Sequence, residues 1–290
     1  FTLSSDTATL KQMQSTLVHR GPNDKGEILY KENSCVIGLA QTRLSIIDVS
    51  SLGHQPMFFK NLTIVFNGEI YNYKSIRAEL VNLGHSFISY TDTEVAIHAF
   101  YEWGMTCVEK FIGMFAFVIY DQYSKKIYVC RDRVGVKPLY YYWDNDNFIF
   151  SSELKSFHQN EYFNMRKEID VESVGLFFRY GYIPGPRSIF LQTYKLPPGY
   201  WLVLDTVNRI VSLSSYWRIE DYYAMPVFNS SYSDIKYQLN DILLSACQYR
   251  MVSDVPVGIF LSGGFDSTLV TSLLQCNSGS KLKTFTIGFP

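Results

Sequence analysis

A chain of 290 residues is long enough for about two domains, each able to bury a core of its own. Its formal net charge is −1 and its longest basic run is Lys125-Lys126, so it offers no electrostatic footprint for nucleic acid or an anionic membrane, and small molecules are the expected partners. A hydrophobic fraction of 47%, no run near the ~20 apolar residues of a spanning helix, and no visible secretory signal make a cytoplasmic globular protein the expectation.

The five cysteines, Cys35, Cys107, Cys130, Cys247 and Cys276, lie far apart and make no paired metal-site spacing, so buried reduced thiols are expected. The 22 Tyr and 21 Phe are scattered over many segments, which suits packing better than a binding stripe.

In chain order, the pattern predicts a helix over Thr7 to His19, with Leu10, Met13, Leu17 and Val18 at helical spacing, ending in the turn His19-Arg20-Gly21-Pro22. Strands are expected at Ile28 to Tyr30, Cys35 to Leu44 and Leu62 to Ile70, with Ser51 to Pro56 as loop between the last two. Helices follow at Tyr73 to Leu83 and Thr93 to Trp103, the second capped by Thr91 or Asp92. Two hairpins come next, Met114 to Asp121 with Lys126 to Asp132, and Pro138 to Trp143 with Asn147 to Ser152. Helices near Glu153 to Gln159 and Val171 to Tyr180, a Pro-rich loop at Ile183-Pro184-Gly185-Pro186, and a hairpin of Gly199 to Leu204 with Arg209 to Ser215 complete a layered α+β domain ending near residue 212.

After a polar and aromatic linker to about Ser233, an amphipathic helix from Ile235 to Met251 leads into the order strand, loop, helix, strand, which announces a parallel α/β sheet. Only two of its strands precede Pro290, so this domain is expected to be truncated.

Two constellations carry chemistry. In the second domain the apolar run Val255 to Leu261 delivers Ser262-Gly263-Gly264-Phe265-Asp266-Ser267 into a helix start. The glycines let the backbone approach a phosphate, Ser262, Ser267 and free helix-start amides can donate to its oxygens, and Asp266 can help hold an accompanying Mg²⁺. Counted from Gly258 the loop is not of the Walker type, because Gly264 stands where the lysine belongs.

In the first domain, Asn67-Gly68-Glu69-Ile70-Tyr71-Asn72 ends an apolar strand. The Asn67 side chain and the Gly68 amide can form an oxyanion hole, although Asn-Gly is also the commonest hairpin turn. Arg43 suits an α-carboxylate and Asp92 an α-ammonium, so the set can hold an amino acid with its side-chain amide over that hole; each residue singly is also an ordinary surface charge.

Taken in order, His19-Arg20-Gly21-Pro22, Arg43-Leu44-Ser45-Ile46-Ile47-Asp48, Asn67 to Asn72, Arg131-Asp132-Arg133-Val134-Gly135-Val136-Lys137-Pro138-Leu139-Tyr140 and Ser262 to Ser267 resemble the signature of glutamine-hydrolysing asparagine synthetases, over essentially the whole chain. The resemblance implies an α+β fold of the N-terminal-nucleophile hydrolase type, its antiparallel sheets layered αββα, at residues 1–212. It implies a linker and a truncated α/β ATP-pyrophosphatase domain at 213–290. Arg43, Leu44, Ser45, Ile46, Ile47, Asn67, Gly68, Glu69 and Asp92 would line the glutamine pocket, and Leu261, Ser262, Gly263, Gly264, Asp266, Ser267 and Ile287 would contact ATP with Mg²⁺ at Asp266.

The implied reaction takes ammonia from glutamine and passes it to aspartate activated by ATP as an acyl-adenylate, and the resemblance leaves room for a homodimer. Another carboxylate acceptor, such as a polysaccharide uronic acid or a β-lactam precursor, stays open, as does a non-catalytic binding protein built on a dead glutaminase. The family begins its mature chain with a cysteine whose own α-amine serves as base. This sequence begins at Phe1 and none of its internal cysteines has that amine, so either a short segment precedes Phe1 or the glutaminase is inactive; the 290 residues alone are expected to be inactive. Where the family reads His-Arg-Gly-Pro-Asp, position 23 is Asn23 with Asp24 next.

Overall fold

The computed structural model describes residues 7–33, 35–227 and 229–288. The chain divides into two compact units, Phe1–Glu220 and Asp221–Pro290.

The first unit is built on one six-stranded antiparallel sheet. In chain order its strands are β3 (Met57–Phe59), β4 (Leu62–Ile70), β5 (Gly113–Asp121), β6 (Lys126–Arg131), β10 (Tyr200–Asp205) and β11 (Ile210–Ser215), arranged spatially as β11-β10-β6-β5-β4-β3. Two smaller antiparallel sheets cover one of its faces: β1 (Asp24–Lys31) with β2 (Val36–Arg43), and β8 (Phe148–Ser151), β7 (Tyr140–Trp143) and β9 (Thr193–Lys195) in the order β8-β7-β9. Strand periodicity of two explains the sandwich. Val65, Ala116, Val118, Val129, Leu202 and Leu204 from the large sheet meet Ile37, Leu39, Tyr141 and Phe148 from the small ones, and Leu139 just before β7, in one buried cluster.

Helices close both outer faces. On the large sheet, α2 (Tyr73–Asn82) and α3 (Asp92–Trp103) pack so that Phe100 of α3 lies 4.9 Å from the Tyr128 ring and 6.0 Å from Trp201. On the small sheets, α1 (Thr7–Ser15) and α4 (Glu161–Arg166) bring Met13 and Phe163 against Tyr142 and Ile149. The layering is αββα, as expected. Helix α5 (Val171–Tyr180) has the predicted bounds, and strand β4 has the predicted bounds as well.

Some elements differ from the sequence pattern. The first helix stops at Ser15, and Val18–Arg20 is a 3-10 turn. Leu154–Gln159 is also a 3-10 turn, followed by α4, which Asn160 caps by accepting from the Phe163 amide. Strands β3 and β9 are only three residues long, too short for a periodic signal, and exist because β4 and β7 present edges to them. Thr91, not Asp92, caps α3: its hydroxyl accepts from the Glu94 amide at 3.0 Å. The predicted linker contains a short helix, α6 (Ile219–Tyr223).

The second unit contains α7 (Tyr232–Tyr249), β12 (Gly258–Phe260), α8 (Phe265–Cys276) and β13 (Lys283–Phe285). Strands β12 and β13 are parallel, pairing Gly258 with Lys283 and Phe260 with Phe285. The helix begins three residues earlier than the pattern suggests because Ser231 caps it through the Asp234 amide. No helix among the described residues is long and apolar enough to cross a membrane.

Candidate active site

A cavity of about 490 Å³ opens in the first unit between the large sheet and the two small ones. Val65, Ala116, Val118 and Leu139 floor it, Leu10, Met13 and Leu17 on and just after α1 roof it, and β2 and β8 flank it. Among the described residues β2 pairs only with β1 and β8 only with β7, so the two strands that flank the cavity each keep an unpaired edge. Three glutamine side chains that the sequence reading passed over brace the walls. Gln14 donates to the carbonyls of Gly26 (2.9 Å) and Gln41 (2.8 Å), tying α1 to β1 and β2. Gln41 donates to the Phe66 carbonyl at 2.8 Å, and Gln55 accepts from the Phe66 amide at 2.7 Å, serving β4 where β3 has ended.

The alternation that turns Val65 toward the cavity continues to Asn67 and Glu69, which line it too. Asn67-Gly68 is therefore not a hairpin turn; it lies inside β4, with Asn67 opposite Ala116 and Gly68 opposite Phe115. Gly68 has φ +148°, and a Cβ there would sit 2.1 Å from the Met114 carbonyl oxygen, so only glycine fits. The Asn67 side-chain amide reaches the Ser152 hydroxyl at 3.4 Å, beside β8.

Asp92, the first residue of α3, accepts a hydrogen bond from the Ile70 amide at 2.8 Å, which fixes the start of α3 at the end of β4. Burial pushes its carboxyl up to about 7; the Ile70 bond opposes that rise and the nearby Glu69 carboxylate adds to it. Glu69 is itself held above its ordinary value by burial, with the Lys137 ammonium pulling the other way. The cavity thus contains two carboxylates whose charge is poorly solvated, a setting that favours a cationic ligand group.

Arg43 lines the cavity and is 8% exposed, but its guanidinium is engaged with its own loop: it donates to the carbonyls of Ser50 (2.9 Å), Ile47 (3.4 Å) and Asp48. It shapes the 44–50 segment, whose Leu44, Ile46 and Ile47 reach the cavity. Ser45 does not line the cavity; its amide donates to the Asn23 side-chain carbonyl at 3.0 Å. Asn23 thus performs an acceptor's task that the acid of the family motif could equally perform. At the rim, Arg20 (3.0 Å), His19 (3.0 Å) and Lys155 (3.1 Å) surround the Glu153 carboxylate. Burial works against its charge, but the bonds from Arg20, Lys155 and His19 prevail and bring it down to about 2. No cysteine among the described residues lines the cavity; Cys35, Cys107, Cys130 and Cys247 are buried elsewhere and Cys276 is exposed.

In the second unit, Gly264 is the N-cap of α8 and Gly263 has φ +80°. The Ser262 and Ser267 hydroxyls bond one another at 3.0 Å, and Ser267 also accepts from the Ser262 amide (3.3 Å) and donates to the Gly264 carbonyl (3.2 Å). This closes the loop and leaves the first-turn amides of α8 without helical acceptors. Leu261 is tied to the parallel strand by its amide on the Phe285 carbonyl (2.9 Å) and its carbonyl under the Thr286 hydroxyl (2.7 Å); Ile287 follows and is exposed. Asp266 is exposed at the loop, and no group of three or more His, Cys, Asp or Glu among the described residues is arranged to hold a metal ion.

The αββα layering of the first unit is the fold type of the N-terminal-nucleophile hydrolases. Its fold is shared with the glutamine phosphoribosylpyrophosphate amidotransferase of B. subtilis at a TM-score of 0.51 and 15% identity, covering 96% of this chain and 61% of that one. An allosteric regulatory enzyme of purine biosynthesis gives a TM-score of 0.52 at 16% identity, with 91% and 59% covered. Residues 2–217 match the glutamine amidotransferase domain family, to which the chain belongs, and residues 238–290 match the asparagine synthase family.

A relative from Methanocaldococcus jannaschii bearing the name of a glutamine-hydrolysing asparagine synthetase is 39% identical over 97% of this chain and 56% of its own length. Asparagine synthetase (glutamine-hydrolysing) 1 of Bacillus subtilis is 36% identical over 97% and 42%, and the amidase chry2 of Gibberella zeae 32% identical over 92% and 39%. The chain spans about half the length of these relatives, and in it a glutamine amidotransferase domain is followed by a stretch that matches asparagine synthase.

Proposed function

We propose that the full-length protein hydrolyses glutamine in the first unit and uses the ammonia to convert aspartate to asparagine, with ATP consumed at the second. The observation that carries the first half is the convergence of Asn67, Gly68, Glu69 and Asp92 on one cavity. Glutamine's α-ammonium would meet the Glu69 and Asp92 carboxylates, and its side-chain carbonyl oxygen would lie at the Asn67 amide and the Gly68 N–H. Those donors favour the charge that develops on that oxygen when a thiol adds to the carbon, and they are fixed before the reaction begins.

The nucleophile in this reading is the family's N-terminal cysteine, arriving on an extended segment that fills the cavity between the unpaired edges of β2 and β8. A strand there would satisfy both edges and bury its side chains against Val118 and Leu139. Its thiol adds to the amide carbon as the α-amine takes the thiol proton, the proton passes to the leaving ammonia, and water then releases glutamate from the thioester.

For the second half, the Ser262 to Ser267 loop and the α8 N-terminus suit the phosphates of ATP, with Leu261 and Ile287 beside it. The donor set fits Mg²⁺, which is commonly held by one carboxylate, here Asp266, together with phosphate oxygens. The metal would screen phosphate charge; the chain's own part is to orient the phosphates on fixed amides. A cytoplasmic location and a possible second copy in a homodimer accompany this reading.

The test is an acceptor screen on the full-length protein. Glutamine-dependent asparagine formation with pyrophosphate release is expected, and Asp266→Asn is expected to abolish aspartate-dependent pyrophosphate release while glutamine hydrolysis persists. Unchanged pyrophosphate release in that variant overturns the assignment of the loop. The amidase name of the G. zeae relative favours a second reading, in which the same machinery serves another carboxylate; pyrophosphate release with such an acceptor and none with aspartate would select it.

A further inference from the structure

The segment Arg131 to Tyr140 is among the motifs that carry the family resemblance, yet the chemistry above gives it no task. Its conformation is fixed from two sides. Asp132 has no exposed surface and accepts from the amides of Phe115 (3.2 Å), Val134 (3.2 Å), Val136 (2.9 Å) and Lys137 (3.0 Å). Arg131 donates to the carbonyls of Lys137 (2.7 Å), Gly135 (2.8 Å) and Leu196 (2.7 Å). Gly135, at φ +68°, passes so close to Pro198 and the Arg131 guanidinium that a Cβ would come within 2.9 Å and 3.1 Å of them. Of residues 132–137, Lys137 alone lines the cavity.

Glu69 lines the same cavity. It is 8% exposed, and among the described residues no hydrogen bond or ion pair reaches its carboxylate. None reaches the half-buried Lys137 ammonium either; the two groups attract one another at longer range than a direct ion pair. A buried carboxylate and a half-buried ammonium, neither with a hydrogen-bond or ion-pair partner, thus line one cavity and are open to a ligand group.

We infer that Lys137 is a positioning residue of the amino-acid pocket: the Arg131–Asp132 loop holds its ammonium where it maintains Glu69 as the anion that receives the ligand's α-ammonium. The inference rests on the reading of this cavity as a glutamine site. Two neighbouring buried carboxylates, Glu69 and Asp92, resist being charged together, and a cation that does not itself occupy the ligand's place offsets that repulsion. The other charged groups around the cavity do not substitute. Arg43 is engaged with its own loop and Arg20 and His19 with Glu153; Asp132, behind the cavity wall, is satisfied by backbone amides and helps keep Lys137 charged. Burial favours the neutral form of Lys137 and Arg20 adds to that, while Glu69 holds its charge in place.

The test is calorimetric titration of the full-length protein with glutamine from pH 6 to 9, for the unsubstituted protein, Lys137→Met and Lys137→Arg. Without the cation Glu69 holds its proton to higher pH. Lys137→Met is therefore expected to weaken binding relative to the unsubstituted protein, by up to about tenfold per unit of displacement at the acid end of the range, with the ratio narrowing as pH rises and Glu69 ionises in both proteins. Lys137→Arg is expected to keep the original profile. Unchanged affinity in Lys137→Met, or a loss equal at every pH, overturns the inference while leaving the glutamine reading intact. Absence of glutamine binding by the unsubstituted protein overturns both.

Discussion

The Ile70 amide donates to the Asp92 carboxylate at 2.8 Å, so the last residue of β4 and the first residue of α3 are joined through a group that titrates near neutral pH. That bond places the strand carrying Asn67, Gly68 and Glu69 and the helix carrying Asp92 in one fixed relation, and it spends only one of the four lone-pair directions of the carboxylate.

Asp92→Asn keeps an acceptor for Ile70 and removes the charge. Because the folded carboxyl sits at about 7, above its ordinary 3.8, ionising it costs stability progressively as pH rises from about 4 through 7. The variant is expected to be more stable than the original at pH 8, by at most about 4 kcal/mol, and equal to it near pH 4. Urea unfolding at the two pH values reads this. Glutamine affinity should fall by about tenfold or more at pH 8, since a neutral amide cannot pair with an α-ammonium.

Gly68→Ala places a Cβ 2.1 Å from the Met114 carbonyl in a backbone region that non-glycine residues avoid. Strand β4 must shift away from β5 or the fold must lose stability. A loss of about 2–3 kcal/mol in chemical unfolding is expected, with glutamine hydrolysis by the full-length protein reduced at least a hundredfold because the Asn67 amide moves with the strand. Wild-type stability in this variant would contradict the contact.

Ala116→Leu tests the occupant of the cavity through opposite signs in two proteins. In the 290-residue chain the larger side chain enters open space and is expected to add about 1 kcal/mol of stability. If the proposed strand fills that space in the full-length protein, the same change overpacks the site there and is expected to cost about 1–3 kcal/mol together with glutaminase activity. The same sign in both proteins removes the strand from the proposal.

The strongest elements were legible because local pattern and tertiary demand agree in them. Strand β4 and helix α5 have the bounds that apolar runs and flanking turn residues predict, and Thr91 caps α3 where a Thr-x-x-Glu pattern allows it. The short strands β3 and β9 were not legible, because three residues carry no period and depend on a neighbour's edge. Gln14, Gln41 and Gln55 were passed over for a related reason. A polar residue in an apolar segment reads as exposed, and only the fold shows that each one meets backbone atoms of a distant strand. Lys137 has a signal in the sequence, its place in the Arg131 to Tyr140 motif, but that signal acquires chemistry only because Glu69 lines the same cavity.

By itself the sequence determined the family: motif order pointed to a glutamine amidotransferase domain followed by an asparagine synthase-like stretch, as the family matches bear out, and strand and helix periodicity pointed to two kinds of domain. Three points were decided only by the tertiary structure. Asn67-Gly68 lies within a strand and not in a turn, Arg43 is bound to its own loop, and Glu69 and Asp92 share one poorly solvated cavity with Lys137. The reason is physical. Residue type and spacing fix what a side chain can do, whereas its charge state and partners depend on burial and on atoms brought close from far along the chain.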